Sequence, residues 1–288
     1  KPLLFHPRET LWQSRRDESG HLDFHETLPE TGPRAVIGVR ACDLAALALQ
    51  DAHFLEKTRD PYYAQRRQDL FIVAVDCTHP ADTCFCVSTG DGPRAEQGFD
   101  LSLHELDDGF IVRSASTRGE SVAAQLALEP VTDPQTRQAD RQTQEAREAQ
   151  TRSLPSRNLR DALFDNLDHS RWQEVAERCL SCSNCVSVCP TCFCHTENEV
   201  PDLEGQETSH VREWDSCFTE EHSYIHGIVI RAETPQRYRQ WLTHKLGSWH
   251  DQYGRSGCVG CGRCITWCPV GIDLTEEAAA ICGDSVDE

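Results

Sequence analysis

Short apolar runs alternate with helix-forming stretches through the first 129 residues. Residues 35–39 (Ala-Val-Ile-Gly-Val) are a β-branched run, and residues 43–50 (Asp-Leu-Ala-Ala-Leu-Ala-Leu-Gln) place strong helix formers behind an acidic first residue. Residues 70–75 (Leu-Phe-Ile-Val-Ala-Val) read as the next strand. Strand, helix and strand within about 40 residues predict a βαβ crossover with parallel strands. Leu101, Leu103 and Leu106 mark a further short segment, residues 109–114 a strand, and residues 121–128 a helix. Between Thr132 and Ser153 no large apolar side chain occurs, and Pro130, Pro134 and Pro155 bracket the stretch. Such a segment cannot bury enough surface to offset its own ordering, so it reads as a polar linker or a solvated helix spanning two domains. Beyond it, Trp172, Val175, Ala176 and Cys179 fall at i, i+3, i+4 and i+7 and predict a helix that delivers Cys179. Thr234 and Pro235 open another helix, with Tyr238, Trp241, Leu242 and Leu246 on one face and an end near Gly247. No strand pattern of comparable clarity follows residue 161. The expected class is α+β: an α/β domain over 1–129, a polar linker over 130–160 and a helical domain over 161–288.

Charge and hydropathy narrow the function. The chain has 28 Lys+Arg against 47 Asp+Glu, a net charge of −19, which excludes a general basic face for nucleic acid. The longest purely apolar runs, residues 44–49 and 70–75, are far short of the ~20 residues a membrane span needs. The opening residues do not read as a signal peptide. The chain contains no Met, so the natural sequence is expected to begin before Lys1, and a cytoplasmic location is expected.

The cysteines decide the class. Of 16, 12 lie in residues 161–288; bunched thiols in a long chain point to metal and not to a disulfide scaffold. Cys179, Cys182, Cys185 and Cys189, followed by Pro190, form C-x2-C-x2-C-x3-C-P, and Cys258, Cys261, Cys264 and Cys268, followed by Pro269, repeat it. In such paired runs the first three thiolates hold one [4Fe–4S] cubane and the fourth ligates the other. The predicted sets are therefore crossed: Cys179, Cys182, Cys185 and Cys268 for cluster A, and Cys258, Cys261, Cys264 and Cys189 for cluster B. Structural zinc would need pairs of Cys making one set of four, not two identical runs. The 68 residues between Cys189 and Cys258 make this a helical dicluster ferredoxin module with a substantial insertion.

The runs, together with Arg178, Cys192, Phe193 and Cys194, and Trp214, Asp215 and Cys217, resemble the iron–sulfur β subunit of cytoplasmic [NiFe]-hydrogenases and sulfhydrogenases, a family whose relatives include an iron–sulfur subunit of anaerobic sulfite reductase. Residues 7–11, residues 38–47 and Cys84-Phe85-Cys86 carry the likeness into the N-terminal zone. The resemblance implies an electron relay between a flavin- and NAD(P)-binding reductase partner and a catalytic partner, a [NiFe]-hydrogenase or a sulfite reductase.

The remaining Cys are less regular. Cys42 follows the first strand, Cys77 the second, and Cys84 and Cys86 the loop after it. Parallel neighbouring strands would bring all four to one sheet edge, where α/β folds bind ligands, and a third [4Fe–4S] cluster C is expected there ahead of zinc or unligated thiols. Cys192, Cys194, Cys217 and Cys282, with His195 as a substitute, form a second conceivable tetrad, but plain packing is the preferred reading. None of the 13 His falls in a zinc pattern, no glycine-rich nucleotide loop follows a strand, and residues 89–93 read as a turn. The leading function is a non-catalytic electron-transfer subunit. The alternatives are an electron-transfer subunit, or a catalytic chain, of a sulfite or sulfur reductase, and a zinc-stabilised assembly module. Residues 195–288 hold 7 Lys+Arg against 17 Asp+Glu, so the cluster domain is expected to steer toward a basic partner surface, with Glu276 and Glu277 on the last helix contributing.

Overall fold

The computed structural model describes residues 1–283. The chain opens with β1 (Arg8–Arg16) and β2 (Leu22–Glu26), an antiparallel pair. The βαβ unit follows as expected: β3 (Arg34–Val39), α1 (Ala41–Asp51), α2 (Pro61–Arg67) and β4 (Leu70–Val75), with β3 parallel to β4. A wider π-helical turn, Ala52–Lys57, extends α1. The Asp60 carboxylate caps α2 by accepting from Tyr63 N at 2.7 Å, with Pro61 in the first turn. β5 (Leu101–Leu106) joins β4 in parallel and β6 (Gly109–Ser114) returns antiparallel, so the sheet order is β3-β4-β5-β6.

The next helix departs from expectation. It is α3 (Thr117–Ala123), not residues 121–128. Ser116 sets its start, the hydroxyl accepting from Gly119 N at 3.0 Å. Gly119 is required because a Cβ there would lie 2.0 Å from the Asp100 carbonyl. Leu126 and Leu128, expected within the helix, are exposed beyond its end.

The polar segment contains α4 (Asp133–Glu148). It is solvated on most sides, yet Ala139, Thr143 and Ala146 form a small buried stripe at i, i+4 and i+7. His104 on β5 meets Gln142 at 3.2 Å, and Arg94 pairs with Asp140. The helix thus lies against the N-terminal sheet.

The cluster-bearing region adds α5 (Leu159–Asp165), α6 (Arg171–Arg178) and the single turn α7 (Asn184–Ser187). It then holds β7 (His195–Pro201) and β8 (Glu207–Trp214), strands the sequence reading did not anticipate after residue 161. β8 pairs antiparallel with β1, making a second sheet in the order β2-β1-β8-β7. β7 is mostly exposed on both faces and β8 is largely covered but built mainly of polar residues, so neither shows the apolar alternation that marks a half-buried strand. They are held instead by charge: Arg66 and Arg212, both buried, converge on buried Glu9, and Arg212 also reaches Asp60.

A small hairpin, β9 (Tyr224–Ile225) and β10 (Ile228–Val229), precedes α8 (Thr234–Thr243). Gly247 does not end this helix. The path continues through a π-helical turn, His244–Ser248, into α9 (Trp249–Tyr253), and Gly254 stops it with φ +72°. Gly247 serves packing, because a Cβ there would lie 3.3 Å from the Phe164 ring of α5. The turn α10 (Arg263–Thr266) and α11 (Leu274–Cys282) complete the fold. Val175, Leu163, Leu242, Leu246, Leu274 and Ala278 centre the C-terminal core, around which the cluster-motif cysteines pack. A smaller cluster of Ala46 and Leu49 from α1 with Trp249 and Val259 joins the two halves.

Candidate metal centre

Both cysteine runs turn through left-handed backbone and enter a short helical turn; the first leaves α6 directly, the second follows a short loop after α9. Trp172, Val175 and Ala176 anchor α6 and present Cys179 at its end. Ser181 and Ser183 then take φ +49° and +65°, and in the second run Gly260 and Gly262 take φ +61° and +70° at the matching positions. The second run needs glycine for another reason. A Cβ on Gly260 would lie 2.5 Å from the Cys86 and Phe85 backbone, and one on Gly262 would lie 2.2 Å from the Thr83 carbonyl. The loop carrying Cys84 and Cys86 is therefore seated directly on the second run, fastened by Phe85 N donating to Gly260 O at 2.8 Å.

Two cavities separate the thiols in the crossed pattern. The first is lined by Cys179, Cys182, Cys185 and Cys268, with Phe218, Tyr238 and Trp241 among its walls. The second is lined by Cys258, Cys261, Cys264 and Cys189, with Phe85 and Lys245. Cys264 and Trp241 border both. The thiols ring these spaces and do not converge on a point: among the described residues no three His, Cys, Asp or Glu are placed to hold a single metal ion. Tyr238 Oη and Trp241 Nε1 are buried donors without a hydrogen-bond partner among the described residues, a costly state that an inorganic sulfide or thiolate acceptor in the cavity would relieve. Backbone amides already point at the sulfurs, Ile272 N at Cys268 Sγ (3.3 Å) and Gly260 N at Cys258 Sγ (3.5 Å). The residues present fit [4Fe–4S] clusters.

Burial pushes Cys258 up to about 12 and Cys261 up to about 11, and raises Cys185 and Cys264 as well. Without iron these thiols are neutral, so loading releases protons. Cys189 is the exception. The Cys192 thiol hydrogen-bonded to it, then the Lys245 ammonium, hold it well below the usual thiol range despite burial.

Cys42, Cys77, Cys84 and Cys86 meet at the edge the parallel strands create. Cys77 and Cys86 both sense Cys84, and Cys42 senses Cys86 and also Cys261 of the second run. Gln150, just past α4, donates to Cys86 Sγ at 3.4 Å, and Gly92 leaves room beside that sulfur, where a Cβ would lie 2.8 Å away. Burial pushes Cys86 up to about 11 and raises Cys42 and Cys77.

The second tetrad does not assemble. Cys192 bonds to Cys189, Cys194 pairs with Cys217, and Cys282 is buried at the end of α11 with burial, then Arg157, acting on its thiol. His195 packs against Phe5. The Cys217 hydrogen bond, followed by that of His222, lowers Cys194 to about 4. His222 is held in turn by Asp215 at 2.9 Å. Antiparallel pairing of His195 with Trp214 brings Cys194 and Cys217 together, and no sequence spacing announces it.

Comparison with known proteins bears on the family. Residues 178–272 match the 4Fe-4S dicluster domain family. The sulfhydrogenase 2 subunit beta of Pyrococcus furiosus is 33% identical over 278 residues, spanning 95% of this chain and 79% of that protein. This chain belongs to the family of sulfhydrogenase iron–sulfur beta subunits. As a member of it, the chain is an electron-transfer subunit that carries [4Fe–4S] clusters in a C-terminal dicluster domain. No solved structure matches it. Among the described residues no helix is long and apolar enough to cross a membrane.

One sequence expectation about this beta subunit needs correction. Glu277 is not a surface charge available for docking. It is fully buried, its carboxylate accepting from Arg171 Nε (2.6 Å) and Arg178 Nη2 (2.8 Å). Only Glu276 of that pair is exposed.

Proposed function

We propose that the chain holds three [4Fe–4S] clusters and relays electrons between a reductase partner that binds flavin and NAD(P) and the catalytic chain of a [NiFe]-hydrogenase in the cytoplasm. The observation that carries the reading is the placing of eight cysteines around two adjoining cavities: Cys268 of the second run lines the cavity of Cys179, Cys182 and Cys185, Cys189 of the first run lines that of Cys258 and Cys261, and Cys264 borders both. Cluster A is assigned Cys179, Cys182, Cys185 and Cys268; cluster B Cys258, Cys261, Cys264 and Cys189; cluster C Cys42, Cys77, Cys84 and Cys86. The clusters supply one-electron storage and transfer. A relay through adjoining sites is supported by shared walls: Cys264 and Trp241 border cavities A and B, while Phe85 lines cavity B and lies between Cys84 and Cys86 in the sequence. At the far end Cys182 is exposed beside exposed Leu180 and Trp267, which favours that end as the contact with a partner.

The test is anaerobic purification of the native assembly. Expected are a brown chain whose visible absorption is bleached by hydrogen and by NAD(P)H, and co-purifying hydrogenase and flavin subunits. A colourless, zinc-bearing chain would overturn the reading.

A further inference from the structure

Lys245 is a buried cation with an unusual set of neighbours. It is 4% exposed, in the π-helical turn that follows α8. Its ammonium donates to Thr191 Oγ1 at 2.9 Å, to Cys189 Sγ at 3.4 Å and to Gly257 O at 3.5 Å, and it lies 5.5 Å from the Trp249 ring centroid. Among the described residues it has no carboxylate partner. The groups that act on it are cysteines: Cys189, Cys192 and Cys258. A buried ammonium without a counter-charge is strongly unfavourable, so the fold tolerates this one only where negative charge collects beside it.

The two cavities differ in this respect. Cavity A is walled by Leu180, Phe218, Tyr238, Trp241, Val270 and their neighbours, with no cationic side chain, whereas cavity B is lined by Lys245. Adding an electron to a thiolate-ligated cubane makes it more negative. A fixed positive charge at a ligand sulfur, in a site of low effective dielectric, favours the reduced state and raises the reduction potential.

We propose that Lys245 is the tuning charge of cluster B, making it the higher-potential member of the dicluster pair and the place where an electron rests. The inference relies on the ligand assignment proposed above. Lys245 is a positioning residue: it acts through the Cys189 sulfur.

Redox titration of the anaerobic full-length chain in its native assembly, followed by electron paramagnetic resonance, tests this. Lys245→Met and Lys245→Gln remove the charge, the second keeping a polar group. Lys245→Arg keeps the charge. The cluster B signal is identified as the one lost in Cys258→Ser. In both neutral variants its midpoint should move to more negative potential, with the cluster A midpoint unmoved and the arginine variant close to the parent. Loss of cluster B alone in both neutral variants, with retention in Lys245→Arg, also supports the proposal. An unmoved cluster B midpoint in the neutral variants, or an equal fall in the arginine variant, overturns it. If the shifting signal is retained in Cys189→Ser, the ligand assignment fails and the tuning charge does not.

Discussion

Cys189→Ser and Cys268→Ser are expected to exchange the losses that their own runs would suggest. Cys189 belongs to the first run, yet it lines the cavity of Cys258, Cys261 and Cys264; Cys268 belongs to the second run and lines the cavity of Cys179, Cys182 and Cys185. Each variant should lose one cubane, about four irons per chain. The spectrum remaining in Cys189→Ser should match that of Cys261→Ser, and the spectrum in Cys268→Ser should match that of Cys182→Ser. Electron paramagnetic resonance of the four reduced variants makes the comparison without any prior assignment of signals. A match between Cys189→Ser and Cys182→Ser would mean that each run keeps its own cluster.

The largest effect on stability is expected at Glu277. Its carboxylate, fully buried on α11, joins Arg171 and Arg178 at the two ends of α6, the helix that presents Cys179. Glu277→Ala takes from two partly exposed guanidinium groups the carboxylate they share, leaving Arg171 only Glu174. Removing one member of a buried pair costs about 3–5 kcal/mol, and partial exposure of both arginines places this case near the lower bound, about 3 kcal/mol. Glu277→Gln keeps some hydrogen bonding and should lose less. Anaerobic urea unfolding, followed by far-ultraviolet circular dichroism and by visible absorption, reads both. The alanine variant should unfold at clearly lower urea and release cluster A along with the fold. A midpoint equal to that of the parent chain would show that the triad does not brace the site.

What could be read from the chain alone depended on whether one local rule was in force. The βαβ unit was legible because β3, α1 and β4 bury apolar faces of distinct period, and the position of Cys42 and Cys77 at one edge follows from the parallel pairing of those strands. The cluster runs were legible because thiolate spacing is dictated by the shape of the cubane. The strands β1, β7 and β8 were not, since their cohesion comes from ladder hydrogen bonds and from Arg66 and Arg212 on Glu9, groups far apart in the chain. Lys245 was equally hidden. A lysine ordinarily faces water, whereas this one lies on the buried face of its helix and points at Cys189. Glu277 was misread for the same reason, because its two arginine partners lie about a hundred residues away. Seating of the Cys84–Cys86 loop on Gly260 and Gly262 shows why those positions are glycine, where the first run has Ser181 and Ser183.

The proposal of three clusters fixes a definite metal content. Iron and acid-labile sulfide, determined on anaerobically purified chain with zinc measured in parallel, test that most directly. Three cubanes predict about 12 of each per chain, falling to about 8 in Cys86→Ser. A value of about 8 in the parent chain, with zinc absent and no change in Cys86→Ser, would contradict the account.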